Sequence, residues 1–111
     1  MSCLDKTHRI KTKKEFDRLY NAHQRFHLKS FIFFYIKQKD IKLGFVASKK
    51  VGNAIKRNRA KRRLRAMVLR YDNQLKGGSY LFVAKNMINE TSSKKLKSEF
   101  DFAISKMKVQ L

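Results

Sequence analysis

A chain of 111 residues with 28 Lys+Arg against 8 Asp+Glu carries a formal net charge of +20, repels itself in solution and calls for a polyanionic partner, nucleic acid ahead of an anionic membrane. Its 42% apolar content, with nine Phe and four Tyr, excludes a disordered polybasic tail and supplies the core of one domain. A single cysteine, Cys3, excludes an internal disulfide and suits a reducing cytosol, and no apolar run approaches the ~20 residues of a membrane span or forms a signal peptide.

Residues 1–11 are polar and basic and read as an arm. Thr12-Lys13-Lys14-Glu15 fits a capping box, so a helix starts after Thr12. Phe16, Leu19, Tyr20 and His23 follow at i, i+3, i+4 and i+7 and share one face. Leu19 reads as core. His23 reads as a helix-end residue, since no metal-ligand spacing accompanies it. Residues 21–30 form a polar connection. The aromatic and β-branched run Phe31-Ile32-Phe33-Phe34-Tyr35-Ile36 is a strand. Both its faces, Phe31/Phe33/Tyr35 and Ile32/Phe34/Ile36, are apolar, so both need a cover of protein or ligand. After a polar turn, Ile41, Leu43, Phe45 and Ala47 alternate along a second strand with one clear core face. The short turn predicts that this strand runs antiparallel to the first.

The stretch from Ser48 to Arg65 is the densest in charge: nine of its eighteen residues are Lys or Arg. Ala60, Leu64, Met67, Val68 and Tyr71 form a helical apolar stripe through it and beyond. At about 100° per residue, Asn58, Lys61, Arg62 and Arg65 share a second face beside that stripe, and Arg59, Arg63 and Arg70 crowd the remaining side. The spacing thus predicts a docked helix with a cationic outer surface, whose repulsion a polyanion would relieve. The helix should end near Tyr71. Lys76-Gly77-Gly78-Ser79 breaks the chain before a third strand, Tyr80 to Ala84. Asn86 to Glu90 is a loop, and Thr91, Ser92 or Ser93 caps a last helix with Leu96, Phe100, Ala103, Ile104 and Met107 in its stripe. No repeat or linker divides the chain, and the pattern is a single α+β domain over residues 1–111.

No catalytic constellation is visible. Most of the eight acids sit beside a basic residue and read as surface charge; Glu99 and Asp101, two apart on a helix, diverge. His8, His23 and His27 lack Cys or acid partners at ligand spacing. Gly77-Gly78 precedes a strand rather than a helix and makes no phosphate loop. The expectation is no catalytic residue and no metal ligand on the chain itself.

The stretch Leu43-Gly44-Phe45-Val46-Ala47-Ser48-Lys49-Lys50-Val51-Gly52-Asn53-Ala54, followed by Lys56-Arg57-Asn58-Arg59-Ala60-Lys61-Arg62-Arg63-Leu64-Arg65, closely resembles the signature of the bacterial ribonuclease P protein component. The likeness extends over nearly the whole chain. It implies an α-β-β-β-α-β-α order with an extra short strand near Arg25 to Leu28, and a left-handed βαβ crossover through the basic helix. Gly52 would supply backbone freedom at the turn into that helix. It implies the protein subunit of a cytoplasmic ribonucleoprotein whose RNA subunit is the catalyst, with Mg2+ held mainly by RNA and no cofactor on the protein. The partners implied are that RNA subunit and precursor tRNA, with no membrane and no stable protein partner. Carried over by position, Lys49, Arg57, Asn58, Lys61, Arg62 and Arg65 would bind RNA, and Phe16, Tyr20 and Phe34 would line a cleft for the 5′ leader. Tyr20 and Phe34 depart from the commonest choices of Phe and Tyr at these positions, which moves a hydroxyl from one wall to the other. The composition also fits a ribosomal protein or general RNA chaperone, which needs no aromatic cleft. A helix-turn-helix DNA binder needs a helix pair where a strand precedes the basic helix, and a membrane-active helix needs a wider exposed apolar face.

Overall fold

The computed structural model describes residues 9–22, 24–71 and 74–109. Thr12 accepts a hydrogen bond from the Glu15 amide at 3.1 Å and opens helix α1, Lys13–Tyr20. Three strands follow: β1, Arg25–His27; β2, Phe31–Lys37; and β3, Ile41–Ala47. Ser48 caps a short 3-10 turn, Lys49–Val51, which ends at Gly52 with φ 139°, a backbone region costly for any residue with a Cβ. Asn53 then caps the basic helix α2, Ala54–Leu69, by accepting from the Lys56 amide at 3.0 Å. Strand β4, Gly78–Ala84, and helix α3, Ser93–Met107, capped by Ser92, complete the order α-β-β-β-α-β-α. The expected short strand is β1. His23, Asp72 and the arm residues 1–8, with Cys3 and His8, lie outside the described residues. The arm's inner end docks: Ile10 is buried, and its amide donates to the Leu43 carbonyl at 2.9 Å.

The sheet order is β1-β2-β4-β3. Strand β4 pairs antiparallel with β2, Phe82 opposite Phe33, and parallel with β3, Phe82 opposite Phe45. Strands β2 and β3 therefore run antiparallel, as the short turn predicts, but they do not pair; β4 lies between them. Gly77 permits this placement. A Cβ there would meet the Lys39 and Gln38 carbonyl oxygens at 2.4 and 2.6 Å. The turn after β2 packs against the entry of β4, an approach that a bare Cα allows.

Apolar side chains gather on both sides of the sheet. On one side Phe31, Phe33, Tyr80 and Phe82 pack against Leu64 and Val68 of α2 and Leu96, Phe100 and Ile104 of α3. Phe82 is the hub, with its ring centroid 4.8 Å from Phe33, 5.0 Å from Phe100 and 5.7 Å from Phe45. On the other side Phe34 and Leu81 meet Leu19 of α1 and Ile10.

The diverging acids Glu99 and Asp101 each fasten α3 to the rest of the fold. Glu99 accepts from the buried Ser30 through its amide at 2.9 Å and its hydroxyl at 2.8 Å, tying α3 to the β1–β2 turn. Asp101 accepts from the Tyr71 hydroxyl and lies 3.2 Å from the Arg70 guanidinium, tying α3 to the end of α2. Burial first, then the Asp101 carboxylate, push the Tyr71 phenol up to about 12.

Candidate nucleic-acid interface

The apolar stripe of α2 fixes which of its cations are free. With Ala60, Leu64 and Val68 fully buried, Asn58, Lys61, Arg62 and Arg65 turn outward together and, with Ile55, line an open groove of about 450 Å³. Lys61 and Arg65 also line a second, smaller cleft of about 190 Å³, whose other walls include Arg9, Ile10, Phe16, Gly44 and Phe45. The Arg65 guanidinium lies 5.5 Å from the Phe45 ring centroid, a cation–π distance that aims this charge along the cleft. Arg57 stands half-buried on the helix, and Lys49 is exposed in the 3-10 turn that leads into it.

The opposite side of α2 departs from the sequence expectation. Arg63 is not part of a cationic outer surface: its guanidinium donates to the Ile88 and Thr91 carbonyls and holds the 3-10 turn Ile88–Glu90. Burial, and then the neighbouring Arg59 charge, lower the Arg63 pKa from its usual value. Arg70 is spent on Asp101.

The aromatic residues lie on the sheet face away from α2 and α3. Helix α1 spans it, Phe16 over the Gly44 side and Tyr20 over the Phe34 side. A Cβ at Gly44 would sit 3.0 Å from Ile10 Cδ1, 3.1 Å from Leu81 Cδ1 and 3.3 Å from Phe16 Cε1, so the missing side chain is what lets the Phe16 ring settle on the sheet. Tyr20 and Phe34 meet edge to face, centroids 5.5 Å apart at 73°. They differ in access: Tyr20 is 39% exposed, whereas Phe34 is only 5% exposed and forms the floor. Partial burial raises the Tyr20 pKa above its usual value. Ile32, Ile36, Val46 and Val83 are only partly buried, so α1 leaves much of this face open. The exposed Arg25 and His27 pair with Phe34 and Ile32 and so border the same face along the edge strand.

Of the residues predicted from sequence, Asn58, Lys61, Arg62 and Arg65 share one groove, Lys61 and Arg65 join it to Phe16, and Tyr20 and Phe34 meet each other farther along α1, outside that cleft. Arg9, Gly44 and Phe45 were not singled out for the site. Arg9 reaches it only through the bridge of the arm to β3, which leaves no periodic signal, and Gly44 and Phe45 read simply as strand positions.

The exposed ring of Tyr20 and the half-buried ring of Phe16 offer π surface for bases, and Lys61, Arg62 and Arg65 offer charge for phosphates, a combination that suits single-stranded nucleic acid held without sequence preference. Among the described residues no group of three or more His, Cys, Asp or Glu could hold a metal ion.

A family model described as Ribonuclease P matches residues 4–108. The chain is 46% identical over 99 residues to the ribonuclease P protein component of a Nitratiruptor species, covering 89% of this chain and 91% of that protein. It is 32% identical over 100 residues to the ribonuclease P protein component of Syntrophomonas wolfei subsp. wolfei, covering 87% and 84% of the two chains. Its fold is similar to that of a Staphylococcus aureus RNase P protein mutant with defective mRNA degradation activity, with TM-score 0.84, 22% identity and coverage of 94% and 91%. It is also similar to that of the RNase P protein from Thermotoga maritima, with TM-score 0.73, 17% identity and coverage of 88% and 96%.

Proposed function

The chain belongs to the ribonuclease P protein family, the protein component of the ribonucleoprotein endonuclease that acts on precursor tRNA, and from that premise we propose how its two joined surfaces divide the work. Lys49, Arg57, Asn58, Lys61, Arg62 and Arg65 bind the backbone of the RNA subunit. Phe16, Tyr20 and Phe34 form the cleft for the 5′ leader of the precursor. The observation that carries this reading is the sharing of Lys61 and Arg65 between the basic groove and the cleft that holds Phe16. The RNA subunit on α2 and the leader on α1 would thus meet at Lys61 and Arg65. A general RNA chaperone would need the first surface and not the second.

On this reading the bond is cut by the RNA subunit. The protein supplies positioning: Arg forks and Lys point charges fix the backbones, and the aromatic walls hold the leader away from the cut. The holoenzyme's Mg2+ then belongs to the RNA, and the protein works in the cytoplasm beside it. Among the described residues no helix is long and apolar enough to cross a membrane.

The test is reconstitution with a ribonuclease P RNA and precursor tRNA at low magnesium. Added protein should restore cleavage, while RNA-free protein should cleave nothing. Cleavage that ignores the protein, or hydrolysis that co-elutes with RNA-free protein, would overturn the accessory role.

A further inference from the structure

The two edges of the sheet differ in their cover. In the order β1-β2-β4-β3, the outer edge of β3 is bridged by the arm at Arg9 and Ile10. Among the described residues nothing pairs with the outer edge of β1. The Leu28 amide donates to the Phe31 carbonyl at 2.8 Å, and the Tyr35 amide to the Gln24 carbonyl at 2.9 Å. The rungs to β2 therefore fall at Gln24, Phe26 and Leu28. The alternation of an antiparallel ladder then turns the amides and carbonyls of Arg25 and His27 outward.

Phe26, half-buried, lies on the α3 side of this edge. There it meets Phe102 of α3 edge to face, centroids 5.5 Å apart at 68°. Phe102 stands outside the buried stripe of α3 and is 49% exposed. The two rings make an apolar ledge beside the free edge, and the rim of that ledge is cationic. Lys106 Nζ lies 5.5 Å from the Phe102 centroid. Arg25, His27 and Lys29 are exposed, and none of these four is held in an ion pair among the described residues. The acids of α3 are engaged elsewhere, Glu99 with Ser30 and Asp101 with Tyr71 and Arg70.

Three occupants differ in how they meet these groups. Single-stranded RNA could stack on Phe102, but its phosphates have no donors for the outward carbonyls of Arg25 and His27. A second copy of this chain would bring Arg25, Lys29 and Lys106 against cations of a molecule that also carries +20. An extended acidic peptide meets every group. Its backbone supplies donors and acceptors at strand spacing, and its side chains alternate between the two faces. Antiparallel to β1, the residue opposite Phe26 falls on the ledge, and its two neighbours lie beside Arg25 and His27.

We propose that the edge of β1, with the ledge of Phe26 and Phe102, docks an extended segment of another protein as a fifth strand, in the pattern acid–aromatic–acid. The site lies three strand spacings, about 14 Å, from β3, where Arg65 stands beside Phe45. The holoenzyme can therefore hold RNA and this partner together. A three-residue edge makes the contact small and reversible. The assignment is independent of the leader reading.

The test uses the full chain assembled with a ribonuclease P RNA, so that the RNA-binding cations are occupied. The probe is a fluorescent synthetic peptide, TVDFDVT, followed by anisotropy. It should bind, and the rearranged peptide DDTVFTV, of equal charge, should bind roughly tenfold more weakly. Methylating the backbone nitrogens of both Asp residues keeps the charge, removes the donors to the Arg25 and His27 carbonyls, and should weaken binding as much. Phe102→Ser should lose roughly tenfold in affinity, as truncation of an anchor does, with melting temperature and precursor cleavage unchanged. Phe102→Tyr should retain binding, which separates the ring from any effect on folding. Failure of TVDFDVT to bind would overturn the proposal. Equal binding of the rearranged or methylated peptide would reduce the contact to charge attraction and overturn it too. A uridine oligonucleotide that displaces the peptide and itself binds Phe102→Ser less well would give the ledge to single-stranded RNA. Dimers of the wild-type chain that Phe102→Ser abolishes would give it to a second copy. Either result would overturn the peptide assignment.

Discussion

The two faces of the sheet are alike in sequence and unlike in use. Strand β2 presents Phe31, Phe33 and Tyr35 to one side and Ile32, Phe34 and Ile36 to the other. The first set is sealed under two helices, α2 and α3, with Phe31 and Phe33 wholly buried. The second lies under a single eight-residue helix, and its Ile32 and Ile36 remain partly open. Hydrophobic character alone therefore does not say where the core is. What separates the faces is how much helix is available to cover each. The well-covered face stabilises the fold, which leaves the other able to surrender coverage to a ligand.

The sharpest way to break this comparison is to truncate a side chain on each face and measure unfolding by urea and circular dichroism. Phe82→Ala removes the hub of the sealed face and should cost about 3–5 kcal/mol. A cost near zero would mean that the sealed face is not what holds the sheet. Phe34→Ala should cost about 3 kcal/mol, the low end for a buried Phe, because the half-covered Tyr20 and its neighbours can relax into the space. Its 5% exposure makes Phe34 a structural floor as well as a cleft residue, so this variant should lose stability and leader affinity together. Loss of leader affinity at full stability would show that the floor is looser than its burial indicates.

Tyr20→Ala sharpens the contrast from the open side. With 39% of the residue already in water, stability should fall by less than about 1 kcal/mol, while affinity for leader-bearing precursor should fall by ~1–3 kcal/mol and that for mature tRNA should hold. Equal falls for the two RNAs would remove Tyr20 from the leader site. The smallest effects belong to single cations on α2. Arg57→Ala, Lys61→Ala and Arg65→Ala should each flatten the salt dependence of RNA binding by roughly 0.7–0.9 per contact, while Arg63→Ala should leave the slope alone and lower the melting temperature, since that guanidinium is engaged inside the protein. A slope that responds to Arg63 and not to the other three would reverse the assignment of the two sides of α2.

Legibility followed distance along the chain. The Thr12 cap, the stripe of α2 and the grouping of Asn58, Lys61, Arg62 and Arg65 depend on residues within a few turns of one another, and all were readable. The two apolar faces of β2 were readable too, but not which helix would cover each. What escaped depends on remote partners. Ser30 and Glu99 are 69 residues apart, and Tyr71 and Asp101 are 30 apart, so neither bond left a local signal. The separation of β2 from β3 is permitted by Gly77, whose need for a bare Cα arises only once β4 lies beside the turn. The family signature carried the roles of Phe16, Tyr20 and Phe34; periodicity alone left open whether they were core or cleft.

The place of β4 between β2 and β3 also sets an order of assembly. The chain is made from its N-terminus, so β2, β3 and the whole of α2 exist before the strand that joins them. Until Ala84 has been synthesised, β2 and β3 each show a bare edge to a slot of one strand's width, and an α-helix with strongly cationic sides has no sheet to rest on. Pairing β3 with β4 must then close a loop of more than thirty residues, slow compared with a hairpin. Open edges of this kind invite strands from neighbouring chains. The same positive charge that suits the finished protein to RNA keeps nascent copies apart during that interval, so it acts as a guard against aggregation before it acts as a binding surface.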